Sequence, residues 1–144
     1  MNQGVLYGVG VGPGDPELLT LKALRVIKSC PVIAAPQTAS GSTLALDIVR
    51  GQVDLSGKEI LPLQFAMSRD SAVLQNSHAA AAALLAERLA AGQDVALLNL
   101  GDVSLYATFH YMKKAVEAAG YAAMMIPGVP SFCAVAAALG ENLT

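Results

Sequence analysis

The run Gly8-Val9-Gly10-Val11-Gly12-Pro13-Gly14-Asp15-Pro16-Glu17-Leu18 constrains this chain more than any other stretch. Val5, Leu6, Tyr7, Val9 and Val11 read as a short buried strand, and the glycines remove side chains from the point where it ends. Asp15, Pro16 and Glu17 then supply an N-cap, a proline at the first helical position and a first-turn acid. Leu18, Leu21, Leu24 and Ile27 follow at helical spacing, which predicts one helix from the Asp15 cap to about Ser29. A strand, a bare turn and a helix start place backbone N–H groups at the carboxyl end of a strand, where open α/β sheets bind ligands. A tight turn that simply needs small residues accounts for the glycines as well.

Two glycine-dependent sites are excluded by position. A dinucleotide fingerprint starting at Gly10 requires a small residue where Asp15 stands, and one starting at Gly8 requires it where Pro13 stands. No acidic residue ends the next apolar run, Pro31 to Pro36, to hold a ribose, and no Gly-Lys-Ser/Thr triplet makes a phosphate loop. The stretch is expected to be a cofactor turn of another kind.

With 144 residues, 54% of them hydrophobic, the chain can bury one core as a single α/β domain. Only 9 Lys+Arg, a net charge of -2 and no basic cluster argue against nucleic acid as a partner. Cys30 and Cys133 stand alone in apolar surroundings and are expected to be buried thiols of a cytoplasmic protein. No basic and apolar leader opens the chain, and the longest apolar tract, Ala79 to Leu85, is far short of a membrane span. His78 and His110 fall on expected helices without partners at metal spacing, so no metal site is expected.

Strands are predicted at Val32–Ala35, stopped by Pro36, and at Glu59–Leu63, Val95–Leu100 and Ala122–Ile126. Helices are predicted at Leu44–Val49, Ser71–Ala91, about Leu105 to Ala119, and Phe132–Leu139. This alternation implies a mostly parallel sheet with helices on both faces. Gln37 to Thr43 and Gln64 to Asp70 read as loops. Three strand-to-helix junctions carry the unusual residues: Gly12 to Asp15, Gly101 to Tyr106, and Pro127 to Phe132. A parallel sheet brings them to one edge.

With these motifs in hand, the chain resembles the tetrapyrrole (corrin/porphyrin) methyltransferases. The resemblance rests on the Gly8 to Ala23 opening, on Gly101-Asp102 with Ser104-Leu105-Tyr106, and on Pro127-Gly128-Val129 ahead of a small-residue helix. It implies the N-terminal domain of a two-domain fold, with residues 1–144 as one domain and the C-terminal domain absent. Ser42 to Val49, Leu61-Pro62-Leu63 and Met67 to Asp70 resemble the members that methylate C20 of precorrin-2 or cobalt-precorrin-2 in cobalamin biosynthesis. Uroporphyrinogen-III and precorrin-4 methyltransferases are the alternatives within the family, together with relatives acting on diphthine or ribosomal RNA. A non-catalytic α/β assembly module is the alternative outside it.

The resemblance further implies S-adenosyl-L-methionine as methyl donor, S-adenosyl-L-homocysteine as product, a reduced tetrapyrrole as substrate and a cytoplasmic homodimer. Cofactor contacts are implied at Pro13, at Leu100, Gly101, Asp102 and Val103, and at Leu105 and Tyr106. Others are implied at Pro130, Ser131 and Phe132, and substrate contacts at Asp15, Arg69 and Asp70. Val103 stands where the family usually has proline, and Pro130 where serine is commoner, which removes a hydroxyl and an N–H. Asp102 has two readings. It orients the cofactor's amino end or a pyrrole N–H, as the one candidate catalytic side chain, or it caps the helix expected from Leu105. Arg69 either pairs with an acetate or propionate or is a solvated surface group.

Overall fold

The structure, a computed structural model, describes residues 2–37, 43–65, 69–105 and 108–144. Five strands, β1 (Val5–Gly10), β2 (Val32–Gln37), β3 (Glu59–Gln64), β4 (Val95–Asn99) and β5 (Ala122–Ile126), form one sheet in the order β3-β2-β4-β1-β5. Every pairing is parallel. Strands β2 and β4 are apolar runs buried along most or all of their length, as a sheet covered on both faces requires.

The helices are α1 (Leu21–Ser29), α2 (Leu44–Arg50), α3 (Ser71–Ala90), α4 (Phe109–Ala118) and α5 (Ser131–Leu139). Helices α1 and α2 pack into one core cluster, with Ala23, Ile27, Leu46 and Val49 against Val9, Ile33 and Leu98. Helices α3 and α4 pack into a second, with Leu85, Leu89, Phe109 and Met112 against Leu6, Leu63 and Leu97. Connections from β1 through β3 run one way across the sheet and those from β3 through β5 run the other way. A single crossover hand therefore sends the two sets of helices to opposite faces. Because β1 leads to α1 on one face and β4 to α4 on the other, the loops diverge between these adjacent strands. That divergence marks the switch point of the sheet, at whose carboxyl edge open α/β sheets bind ligands.

Several local expectations are corrected. Asp15 does not cap α1: its Oδ1 accepts from Glu17 N at 2.9 Å and closes a single 3₁₀ turn, Pro16–Leu18. The chain then extends through buried Leu19, and Thr20 Oγ1 caps α1 by accepting from Ala23 N at 3.0 Å. Burying Leu19 breaks the turn from the helix, and the buried face of α1 is Ala23, Val26 and Ile27, leaving Leu21 86% exposed. Pro36 does not stop β2, which runs to Gln37. Pairing with β4 covers only Val32–Ala34, so one side of the strand carries no ladder at Pro36. Cys133 is exposed, since α5 turns most of its residues outward, whereas Cys30 is fully buried. Among the described residues no helix is long and apolar enough to cross a membrane.

Candidate functional site

The three predicted junctions meet at the β1/β4/β5 edge, and backbone makes the contact. Beyond β1, Gly12 and Gly101 form an antiparallel bridge: Gly12 N donates to Gly101 O at 3.2 Å, and Gly101 N to Gly12 O at 2.8 Å. Gly128, past β5, lies against both Gly10 and Gly101. A Cβ on Gly128 would collide with the Gly101 carbonyl and stand 2.8 Å from Gly10 C. A Cβ on Gly10 would stand 2.7 Å from Gly101 O and 2.8 Å from Gly128 N. Any side chain at these positions would force the junctions apart. Gly12 and Gly101 also hold φ of 80° and 67°, which L side chains rarely adopt.

Asp102 ties this arrangement together. Its Oδ1 accepts from Gly128 N at 2.9 Å, and its Oδ2 accepts from Ser104 N at 3.0 Å and from the Ser104 hydroxyl. Burial opposes ionisation of Asp102, but the Ser104 hydroxyl and the Gly128, Ser104 and Val103 N–H groups outweigh it, holding the carboxyl below the ordinary range. The helix-cap reading is overturned: Thr108 occupies the N-cap position of α4, and Leu105 lies outside that helix. Asp102 instead binds the second junction to the third across 26 residues of chain.

The other predicted residues divide. Pro130 meets this cluster, its Cα 3.6 Å from where a Gly101 Cβ would stand. Pro13 is half-buried beside the Gly12 turn, while Val103 is buried in the core beneath α3 and α4. Leu100, Leu105 and Phe132, at the second and third junctions, leave 48%, 38% and 48% of their surface in solvent. Ser131 is exposed at the start of α5. Arg69, Asp70 and Asp15 are not brought into the cleft. Arg69 and Asp70 are exposed at the β3–α3 junction, where Asp70 Oδ1 caps α3 by accepting from Ala72 N at 2.9 Å. Asp15 is an exposed turn cap. Tyr106, and Ser42, Met67 and Ser68 of the resemblance segments, lie outside the described residues.

Ser104 and Gly128 were missed as partners of Asp102. The Asp-x-Ser spacing does signal a local turn in which side chains bond nearby backbone. The Gly128 contact leaves no local signal, because it is made by two loops distant in sequence. Gly8 acts at one remove: a Cβ there would stand 2.6 Å from the Phe109 ring, so its bareness seats the first turn of α4 against β1. Among the described residues no group of three or more His, Cys, Asp or Glu side chains converges as metal ligands would.

Comparison with known proteins gives the family. The chain is 39% identical over 139 residues to a probable cobalt-precorrin-2 C(20)-methyltransferase of Methanocaldococcus jannaschii, covering 96% of this chain and 58% of that protein. It is 36% identical over 139 residues to a precorrin-4 C(11)-methyltransferase of Rhodococcus erythropolis, covering 96% and 49%. The fold matches a uroporphyrin-III C-methyl transferase of Thermus thermophilus complexed with S-adenosyl homocysteine, with TM-score 0.67, 27% identity, and coverage of 92% and 48%. The chain thus spans about half the length of these relatives. Since the sequence model of the Tetrapyrrole (Corrin/Porphyrin) Methylases matches residues 5–144, nearly all of the chain, the protein belongs to that family.

Proposed function

We propose that this chain is the N-terminal, cofactor-binding domain of an S-adenosylmethionine-dependent C-methyltransferase acting on precorrin-2 or cobalt-precorrin-2 at C20. The observation that carries the reading is the meeting of Gly10, Gly101 and Gly128 with an ionised Asp102 at the sheet's switch point. The residues present fit the donor. Exposed apolar side chains at the junctions, Leu100, Leu105 and Phe132, suit a purine, and the Asp102 carboxylate suits a neighbouring cation.

When bound, S-adenosylmethionine supplies an activated methyl on a sulfonium, whose positive charge disappears as the methyl leaves. The chain's own part is to position. The glycines let the three junctions close on one another, Asp102 locks the second to the third, and Val103 anchors the second in the core. Orientation of this kind carries most of the catalysis when the carbon nucleophile is already electron-rich. Asp102 here acts as a positioning residue, since both of its oxygens are committed to loop N–H and hydroxyl groups.

The C20 assignment is supported by the resemblance of Ser42 to Val49 and Met67 to Asp70 and by the name of the Methanocaldococcus jannaschii relative. The precorrin-4 C11 reading is favoured by the 36% identity to the Rhodococcus protein. Calorimetric titration of S-adenosylhomocysteine into the chain and into a version extended through the second domain tests the cofactor half: weak binding by the first and tighter binding by the second are expected, and no binding by either overturns the methyltransferase reading. Methyl transfer from labelled S-adenosylmethionine, with the product mapped by carbon NMR, tests the other half. Label at C20 of precorrin-2 is expected from the chain joined to its second domain and little from residues 1–144 alone, whereas label only on precorrin-4 at C11 transfers the assignment.

A further inference from the structure

We propose that the rings of Phe65, His78, His110 and Tyr111 form the wall that receives the flat, carboxylate-bearing substrate macrocycle. This inference rests on the tetrapyrrole reading above and assigns that substrate a surface outside the glycine cleft. The four rings come from three elements. Phe65 is the first residue past β3, His78 lies two turns into α3, and His110 and Tyr111 belong to the first turn of α4. All three elements start or end at the carboxyl edge of the sheet.

The rings are ordered against one another. Tyr111 stacks on His78 with centroids 4.7 Å apart and planes at 23°. Phe65 meets His78 edge-on at 6.0 Å, and His110 meets Tyr111 edge-on at 5.9 Å. Phe65 packs against the second core cluster and His78 is half-buried, but Tyr111 leaves 55% of its surface in solvent and His110 is exposed. Among the described residues neither imidazole makes a hydrogen bond, so ring N–H donors remain available beside a stacked aromatic surface. Arg69, at the same β3–α3 junction, makes no ion pair among the described residues, while the neighbouring Asp70 carboxylate is turned to the α3 cap. Stacked rings, imidazole donors and a guanidinium suit a flat ligand fringed with carboxylates.

The wall stands at the same edge of the sheet as the glycine contact, since β3 ends there and α3 and α4 begin there. Phe109 is locked beneath Gly8, which lies two residues, or about 7 Å, from Gly10 along β1. Tyr111, two residues on, is carried about 200° round α4 from Phe109, to the side that meets His78 of α3. Across the sheet, β3 and β4 are two strand spacings apart, about 10 Å.

The test is a fluorescence titration of the full chain with sirohydrochlorin, the air-stable oxidised form of precorrin-2, alongside calorimetry with S-adenosylhomocysteine. Tyr111→Ala is expected to weaken sirohydrochlorin binding at least tenfold and leave S-adenosylhomocysteine affinity and the melting temperature unchanged, while Tyr111→Phe keeps wild-type binding of both. His78→Gln, which removes the stacking partner, is expected to weaken sirohydrochlorin binding several-fold. Sirohydrochlorin binding that is equal in wild type, Tyr111→Ala and His78→Gln overturns the ring wall and leaves the tetrapyrrole reading standing. Failure of the wild-type chain to bind sirohydrochlorin overturns both, and loss of S-adenosylhomocysteine binding in Tyr111→Ala overturns the separation of wall from cleft.

Discussion

The glycine cleft and the ring wall stand at the same edge of one sheet but are built by opposite means. At the cleft, Gly10, Gly101 and Gly128 bring three backbones together by excluding side chains, and one carboxylate holds them. At the wall, Phe65 past β3, His78 on α3 and Tyr111 on α4 meet through their side chains. Backbone-built geometry cannot be altered locally without moving a strand, whereas side-chain surfaces can vary over a fixed scaffold. A cofactor common to a family suits the first, and substrates that differ within it suit the second.

That contrast can be broken most forcefully at Gly128. Replacing it with alanine drives a Cβ into the Gly101 carbonyl and is expected to cost about 3 kcal/mol of stability, with S-adenosylhomocysteine binding abolished. Urea unfolding and calorimetry check this, and a stable, cofactor-binding variant would show that the cleft tolerates side chains after all.

Asp102 comes next. Asp102→Ala leaves Gly128 N and Ser104 without their acceptor and is expected to lose about 1 kcal/mol and roughly tenfold in S-adenosylhomocysteine affinity. The sign of its pH dependence is set by the depressed carboxyl. Its contribution is present above the unfolded carboxyl range, about pH 4, and is lost as pH falls through the lower folded value. Acid unfolding followed by circular dichroism should therefore flatten at its acid limb in Asp102→Asn.

At the wall the same measurements should move little. Tyr111→Ala, at a residue already 55% exposed, is expected to change unfolding free energy by no more than about 0.5 kcal/mol. A loss comparable with that of Gly128→Ala would make the rings structural rather than receptive.

The smallest effect separates the covered face from the open end. Burial, reinforced by the Asp94 charge, pushes the Cys30 thiol up to about 11, while Cys133 is exposed on α5. One equivalent of a thiol reagent at pH 8 should label Cys133 alone, read by mass spectrometry. Because the unfolded thiol ionises near pH 8.5 and the folded one near 11, Cys30 contributes stability below pH 8.5 that is lost as pH rises toward 11.

How far the residues alone carried the reading differs from place to place. The alternation of apolar runs with capped helical stretches was enough for the parallel sheet, its element order and the three junctions. Local helix starts were less legible. Asp15, Pro16 and Glu17 are a sound helix opening by type, yet the need to bury Leu19 split the stretch into a 3₁₀ turn and a later helix capped by Thr20. The same competition exposed Cys133: an apolar sequence on α5 says nothing about whether a neighbour covers it.

By itself, then, the sequence determined where strands end in bare turns and which turns carry glycine, aspartate and proline, because those preferences are local and steric. Only the tertiary structure decided that Gly10, Gly101 and Gly128 touch, that Asp102 reaches Gly128 rather than a helix, and that Tyr111 stacks on His78. Those contacts join residues far apart in the chain. They exist because β4 lies between β2 and β1 in the sheet, which no local pattern encodes.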